Sequence, residues 1–132
     1  DDKKPTTPEA LMRSRYSAYA QANISYIEET MRGKALTGFD STDAHAWASS
    51  VAWLGLRVIR SFLSKTPDVG YVEFVARFQK DNQICFIHEL SEFHLVDGCW
   101  YYVDGKQQPT PTRNSLCPCG SGQKFKRCCG GD

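Results

Sequence analysis

The sequence predicts an α+β fold, with N-terminal helices packed on an antiparallel sheet and a small cysteine-rich knuckle at the C-terminal end. Three observations predict it. Apolar residues recur at helical spacing in the first third of the chain; from about residue 54 they alternate with polar ones; and four of the six cysteines fall between Cys117 and Cys129.

A first helix is expected over about residues 8–22. Thr6-Thr7 offers a hydroxyl to cap free amides, Pro8 suits the first turn, and Glu9 sits at the positive helix end. Leu11, Met12, Tyr16 and Tyr19 form its apolar stripe, with Arg13 and Arg15 off the centre of that stripe. Ile24, Ile27 and Met31 repeat the spacing in a second helix over about 24–32. Gly33 and Gly38 break the pattern, and Ser41-Thr42-Asp43 is suited to cap a short helix carrying His45 and Trp47.

The period then becomes two. Leu54, Leu56 and Val58 alternate with Gly55, Arg57 and Ile59, and Val72, Phe74, Ala76 and Phe78 with Glu73, Val75 and Arg77. A third strand over about Ile84–Val96 is long enough to need a bend. Lys80-Asp81-Asn82-Gln83 and Val96-Asp97-Gly98-Cys99 both read as tight turns, so the last three strands should form an antiparallel meander ending near Val103. This places the α+β domain at 1–105. Residues 106–114, polar and interrupted by Pro109 and Pro111, read as an extended linker to a module at 115–131.

With 132 residues, the chain suffices for one ordinary core and an appendage. A hydrophobic share of 41% with 23% charged residues suits a soluble protein, and no apolar run approaches the roughly 18 to 20 residues of a membrane span. The chain opens Asp1-Asp2-Lys3-Lys4, without initiator Met or a visible secretion signal, which favours the cytoplasm. Charge is divided: residues 1–104 hold eleven Lys and Arg against fourteen Asp and Glu, whereas 105–131 hold five bases and no acid. The basic tail suits an acidic partner or thiolate neutralisation more than it argues for nucleic acid.

Cys117-x-Cys119-x8-Cys128-Cys129 supplies four soft thiolates, the donor set of a tetrahedral Zn²⁺, in a segment too short to fold on apolar burial. Structural zinc is worth on the order of 10 to 16 kcal/mol in small fingers, enough to order it. Gly120 and Gly122 let the backbone turn, Phe125 can form a miniature core, and Lys124, Lys126 and Arg127 offset thiolate charge. Iron or an iron–sulfur cluster uses the same donors. Disulfides are the other reading, although adjacent cysteines bridge only with strain.

Residues Cys117-Pro118-Cys119-Gly120-Ser121-Gly122-Gln123-Lys124-Phe125-Lys126-Arg127-Cys128-Cys129 resemble the SEC-C motif that ends the bacterial preprotein translocase motor SecA. The resemblance implies one zinc on the four cysteines and recognition of a protein or ribonucleoprotein, since the motif contacts the export chaperone and the ribosome in that family. Lys124, Phe125, Lys126 and Arg127 would display the recognising surface, with nucleic acid reached only through the ribosome and no insertion into a membrane. The body resembles the YchJ family of uncharacterised bacterial proteins, through Pro8-Glu9-Ala10-Leu11-Met12-Arg13-Ser14-Arg15-Tyr16-Ser17-Ala18-Tyr19, His88-Glu89-x-Ser91-x-Phe93 and Gly98-x-Trp100-x-Tyr102. This resemblance implies a cone of the cystatin or nuclear-transport-factor-2 type, its sheet curled around the long helix. Members usually carry a second SEC-C motif at the amino end. Here no cysteine precedes Cys85, so that motif is absent or trimmed away.

Such cones often leave a pocket, which keeps a ligand-binding or enzymatic reading beside the adaptor reading. Arg13, Arg15, Tyr16, Tyr19, His88, Glu89 and Glu92 are its candidates, and in a straight strand His88, Glu92 and His94 share a face. Each also has a plain structural role, the arginines pairing with sheet carboxylates and the tyrosines entering the core. Catalysis is therefore the less favoured reading, and no catalytic residue is assigned.

Overall fold

The computed structural model describes residues 4–109, 114–117 and 121–128. Helices α1 (Pro8–Ala20), α2 (Ile24–Glu29), α3 (Gly33–Thr37) and α4 (Ser41–Ser50) precede strands β1 (Ala52–Leu63), β2 (Val69–Lys80), β3 (Gln83–Val96) and β4 (Cys99–Gln107). The strands form one sheet in the order β1-β2-β3-β4, antiparallel at every pairing, so the α+β expectation holds and the meander includes β1. Among the described residues no helix is long and apolar enough to cross a membrane.

Local chemistry sets the helix ends. Thr7 Oγ1 accepts from the Ala10 amide at 3.0 Å, with Pro8 opening α1. Asn23 caps α2 in the same way, and Asp40, rather than Ser41, caps α4 by accepting from the Asp43 amide. α2 stops at Glu29, short of residue 32, because the next residues pair with the sheet: the Tyr102 amide donates to Thr30 O at 2.8 Å and the Arg32 amide to Tyr102 O at 3.0 Å. The stretch expected to be broken by Gly33 and Gly38 contains the short α3. Gly33 opens it at φ +62°, a conformation that suits glycine, close against Val103.

Asp81 and Asn82 (φ +52° and +65°) turn β2 into β3, and Asp97 and Gly98 (φ +51° and +82°) turn β3 into β4. The bend expected in β3 appears as a register irregularity against β4 between Glu92 and Phe93. One sheet face packs on the helices, where Val72, Phe74, Ala76, Phe93 and Trp100 meet Leu11 and Met12 of α1. Burial of Phe93 alone, with no exposed surface, contributes about 2–3 kcal/mol. A second cluster of Ala18, Ile27 and Met31 joins α1 to the α2–β4 junction.

The other sheet face carries the tail. Leu116 and Lys124 form an antiparallel bridge, the Cys117 amide donates to Gln123 O at 2.8 Å, and the Phe125 amide to Ser115 O at 2.8 Å. Phe125 is 1% exposed, packed with Cys117 on Val75 beside Ile59 and Phe86, its ring centroid 5.2 Å from that of Phe86. Lys106 and Gln107, read as linker, lie in β4, and the Gln108 amide donates to His88 O at 2.7 Å. Residues 110–113 lie outside the described residues. Cys85 pairs in register with Phe78 and Cys99 with Val96, so the two cysteines do not face each other across a hairpin.

Candidate functional site

Two places in the molecule gather chemistry, one on each sheet face. On the helix face, positions 12, 15, 16 and 19 of α1 fall on one side, so Met12, Arg15, Tyr16 and Tyr19 look toward the sheet. β2 supplies Phe74 and Ala76, β3 supplies Ile87 and Glu89, and β4 supplies Tyr102, while Trp47 of α4 and Trp53 of β1 close one side. They line a partly open cavity of about 140 Å³.

Arg15 is only 4% exposed. Its Nη1 donates to Ile27 O at 2.9 Å and to Thr30 Oγ1 at 2.6 Å, and its guanidinium carbon lies 4.6 Å from the centre of the Tyr102 ring. Burial lowers its pKa, opposed by the fields of Tyr19, Tyr102 and Glu89. Glu89 is the opposite charge. Its Oε2 accepts from Ser91 Oγ at 2.5 Å and from the Tyr102 hydroxyl at 3.0 Å, and its Oε1 from Gln107 Nε2 at 3.1 Å. Room for this triad depends on Gly105, since a Cβ there would collide with the Tyr102 hydroxyl and the Glu89 carboxylate. Burial and then Glu89 push the Tyr102 phenol far above its ordinary value, so it stays a donor; burial also raises Tyr16 and Tyr19. The Trp53 indole Nε1 is buried with no hydrogen-bond partner.

The expected pocket set divides by strand alternation. Arg15, Tyr16, Tyr19 and Glu89 line the cavity, whereas His88 and Glu92 belong to the outer face. Arg13 lies at the surface, paired with Glu9 at 3.0 Å. His88, buried, sets Nε2 at 2.7 Å from Glu73 Oε2 and Nδ1 at 3.0 Å from Pro109 O, while Arg60 Nε donates to Glu73 Oε1 at 2.7 Å. Desolvation would raise the Glu73 carboxyl, but the His88 and Arg60 bonds outweigh it and hold the group below its ordinary value. Glu92 pairs with His94 at 2.7 Å. Sequence reasoning passed over Tyr102, Trp47 and Trp53 as site residues. The signal for Tyr102 was its two-residue spacing from Trp100, which puts both on the helix face.

In the tail, Cys117 is buried and Cys128 packs against the same cluster, with Ser121 Oγ donating to Cys128 Sγ at 3.3 Å. Cys119 and Cys129 lie outside the described residues. Gly122 (φ +82°) makes the turn that brings the two ends of the segment together. Cys117 and Cys128 thus share one small apolar seat, and among the described residues no group of three or more His, Cys, Asp or Glu side chains gathers as a metal site. Lys124 and Arg127 are exposed and Lys126 is half-buried. Phe125, expected on the displayed surface, is instead the anchor: it is the only aromatic residue in the segment's sequence and packs against Ile59, Val75 and Phe86.

Residues 7–105 match the family described as YchJ, middle NTF2-like domain, and residues 113–131 match the SEC-C motif. A UPF0225 protein of Geobacter sulfurreducens is 42% identical over 132 residues, spanning 94% of this chain and 82% of that one. The solution structure of a SEC-C motif containing protein from Rhodopseudomonas palustris superposes with a TM-score of 0.72 at 38% identity, covering 81% of this chain and 83% of that one. A crystal structure of a SEC-C motif containing protein from Psychrobacter arcticus gives 0.70 at 33% identity, covering 98% and 77%.

Proposed function

This chain belongs to the YchJ family, an NTF2-like domain joined to a SEC-C motif, and on that footing we propose that it is a zinc-carrying adaptor that recognises a protein or ribosomal partner. The observation that carries the reading is the split within residues 124–127, where Phe125 is 1% exposed against the sheet while Lys124 and Arg127 face solvent. A basic turn pinned by its one aromatic residue is a preorganised surface, and preorganisation lowers the ordering cost of binding.

Cys117, Cys119, Cys128 and Cys129 would hold the metal. Bound there, zinc neutralises thiolate charge and ties the two ends of the segment together. This chain's own residues do the rest: Phe125 fixes the segment to the body, and Lys124, Lys126 and Arg127 meet acidic side chains or phosphate. By resemblance to the SecA motif, the partner is the export chaperone or the translation machinery. Four cysteines held as metal-binding thiolates would suit the reducing cytoplasm.

The test compares the native chain with Cys128→Ser/Cys129→Ser and with Lys124→Glu/Arg127→Glu in pull-downs from bacterial lysate, after metal analysis of each. One zinc per native chain is expected, none in the serine variant, and a common set of partners lost from both variants. Partners retained at unchanged affinity by the charge-reversed chain would contradict the assignment.

A further inference from the structure

The cavity on the helix face is not needed for the adaptor reading. We propose that it binds a small, neutral, planar heterocycle or aryl amide presenting a hydrogen-bond donor and acceptor on one edge. Size is the first guide: the partly open cavity of about 140 Å³ is close to the roughly 150 Å³ that admits benzene, which suits one ring or a compact bicycle.

The walls set the second. Trp47 and Trp53 stand edge to face with centroids 5.1 Å apart, and Tyr16 meets Trp53 at 5.5 Å with an interplanar angle of 80°. Their faces and edges favour a flat aromatic body through quadrupole complementarity.

The polar groups decide the ligand's charge. An apolar void would be lined by aliphatic residues; this one holds a buried guanidinium, half-buried phenols and a carboxylate. Arg15 and Glu89 both line it, and Tyr102 lies against both, its ring centre 4.6 Å from the guanidinium carbon and its hydroxyl 3.0 Å from Glu89 Oε2. An anionic ligand would face Glu89 and a cationic one Arg15, each at a desolvation cost the opposite charge only partly offsets. A neutral ligand with both a donor and an acceptor meets neither penalty.

The test follows the three indole N–H resonances of the full chain by ¹⁵N NMR during titration with benzamide, benzoate and toluene. Benzamide is expected to shift the Trp53 and Trp47 signals saturably, with affinity of about 1 mM, suited to so small a ligand, and at least tenfold tighter than either comparator. Glu89→Gln should weaken benzamide and strengthen benzoate about tenfold, because Arg15 then acts unopposed. A merely structural role of Glu89 would not exchange the two preferences. Should that variant fail to fold, Tyr19→Phe replaces it, with a several-fold loss for benzamide expected. The proposal is overturned if benzamide leaves the indole signals unmoved, if toluene binds as tightly, or if the variant that folds leaves the ligand order and affinities unchanged.

Discussion

The two faces of the sheet handle charge in opposite ways. On the helix face Arg15 and Glu89 are held apart, each satisfied by neutral groups: Ile27, Thr30 and the Tyr102 ring for the arginine, Ser91, Tyr102 and Gln107 for the carboxylate. On the outer face Glu73 is bound directly to Arg60 and His88, and beside that cluster lies the apolar seat of the tail. Charges tied to each other make a scaffold. Charges kept separate around a cavity retain the capacity to meet a ligand.

The sharpest way to break this division is Phe125→Ala. Truncating a fully buried phenylalanine typically costs 3–5 kcal/mol, and here the loss should fall on tail docking. Amide hydrogen exchange should rise in residues 114–117 and 121–128, and exchange in Val75 and Phe86 should rise with it, while the helix face keeps its protection. Equal protection of the tail in both proteins would show that Phe125 does not anchor it.

A smaller effect is expected from Glu73→Gln, about 1–2 kcal/mol at neutral pH from loss of the charge-assisted bonds to His88 and Arg60. The sign with pH follows from linkage. The folded carboxyl titrates below its ordinary value of 4.5, so its contribution is complete above that pH and is lost as pH falls through the depressed folded value. Denaturant unfolding across pH 7 to 3 should show the native chain losing more stability on acidification than the variant. Parallel pH profiles would contradict the assignment.

Much of this architecture was legible in the sequence because local chemistry set it. Thr7-Pro8 fixed the start of α1, Asp81-Asn82 and Asp97-Gly98 the hairpins, and strand alternation the helix-facing row of Val72, Phe74 and Ala76. What escaped the reading depended on contacts between segments remote in sequence. Arg15, off the centre of an apolar stripe, could not be seen to bury until Ile27 and Thr30 supplied acceptors. Glu89 and His88 are neighbours in sequence, and only the register of β3 assigns one to the cavity and the other to Glu73. The seat of Phe125 is likewise assembled from three strands, β1, β2 and β3.

The central claim, that the SEC-C segment is seated on the body through Phe125 and completed by zinc, is tested most directly by the thermal unfolding of the body before and after removal of zinc. The native chain should melt at lower temperature once the metal is withdrawn, and the Phe125→Ala variant, already undocked, should show little further change. A body transition unmoved by zinc removal in the native chain would contradict the account and make the segment an independent appendage.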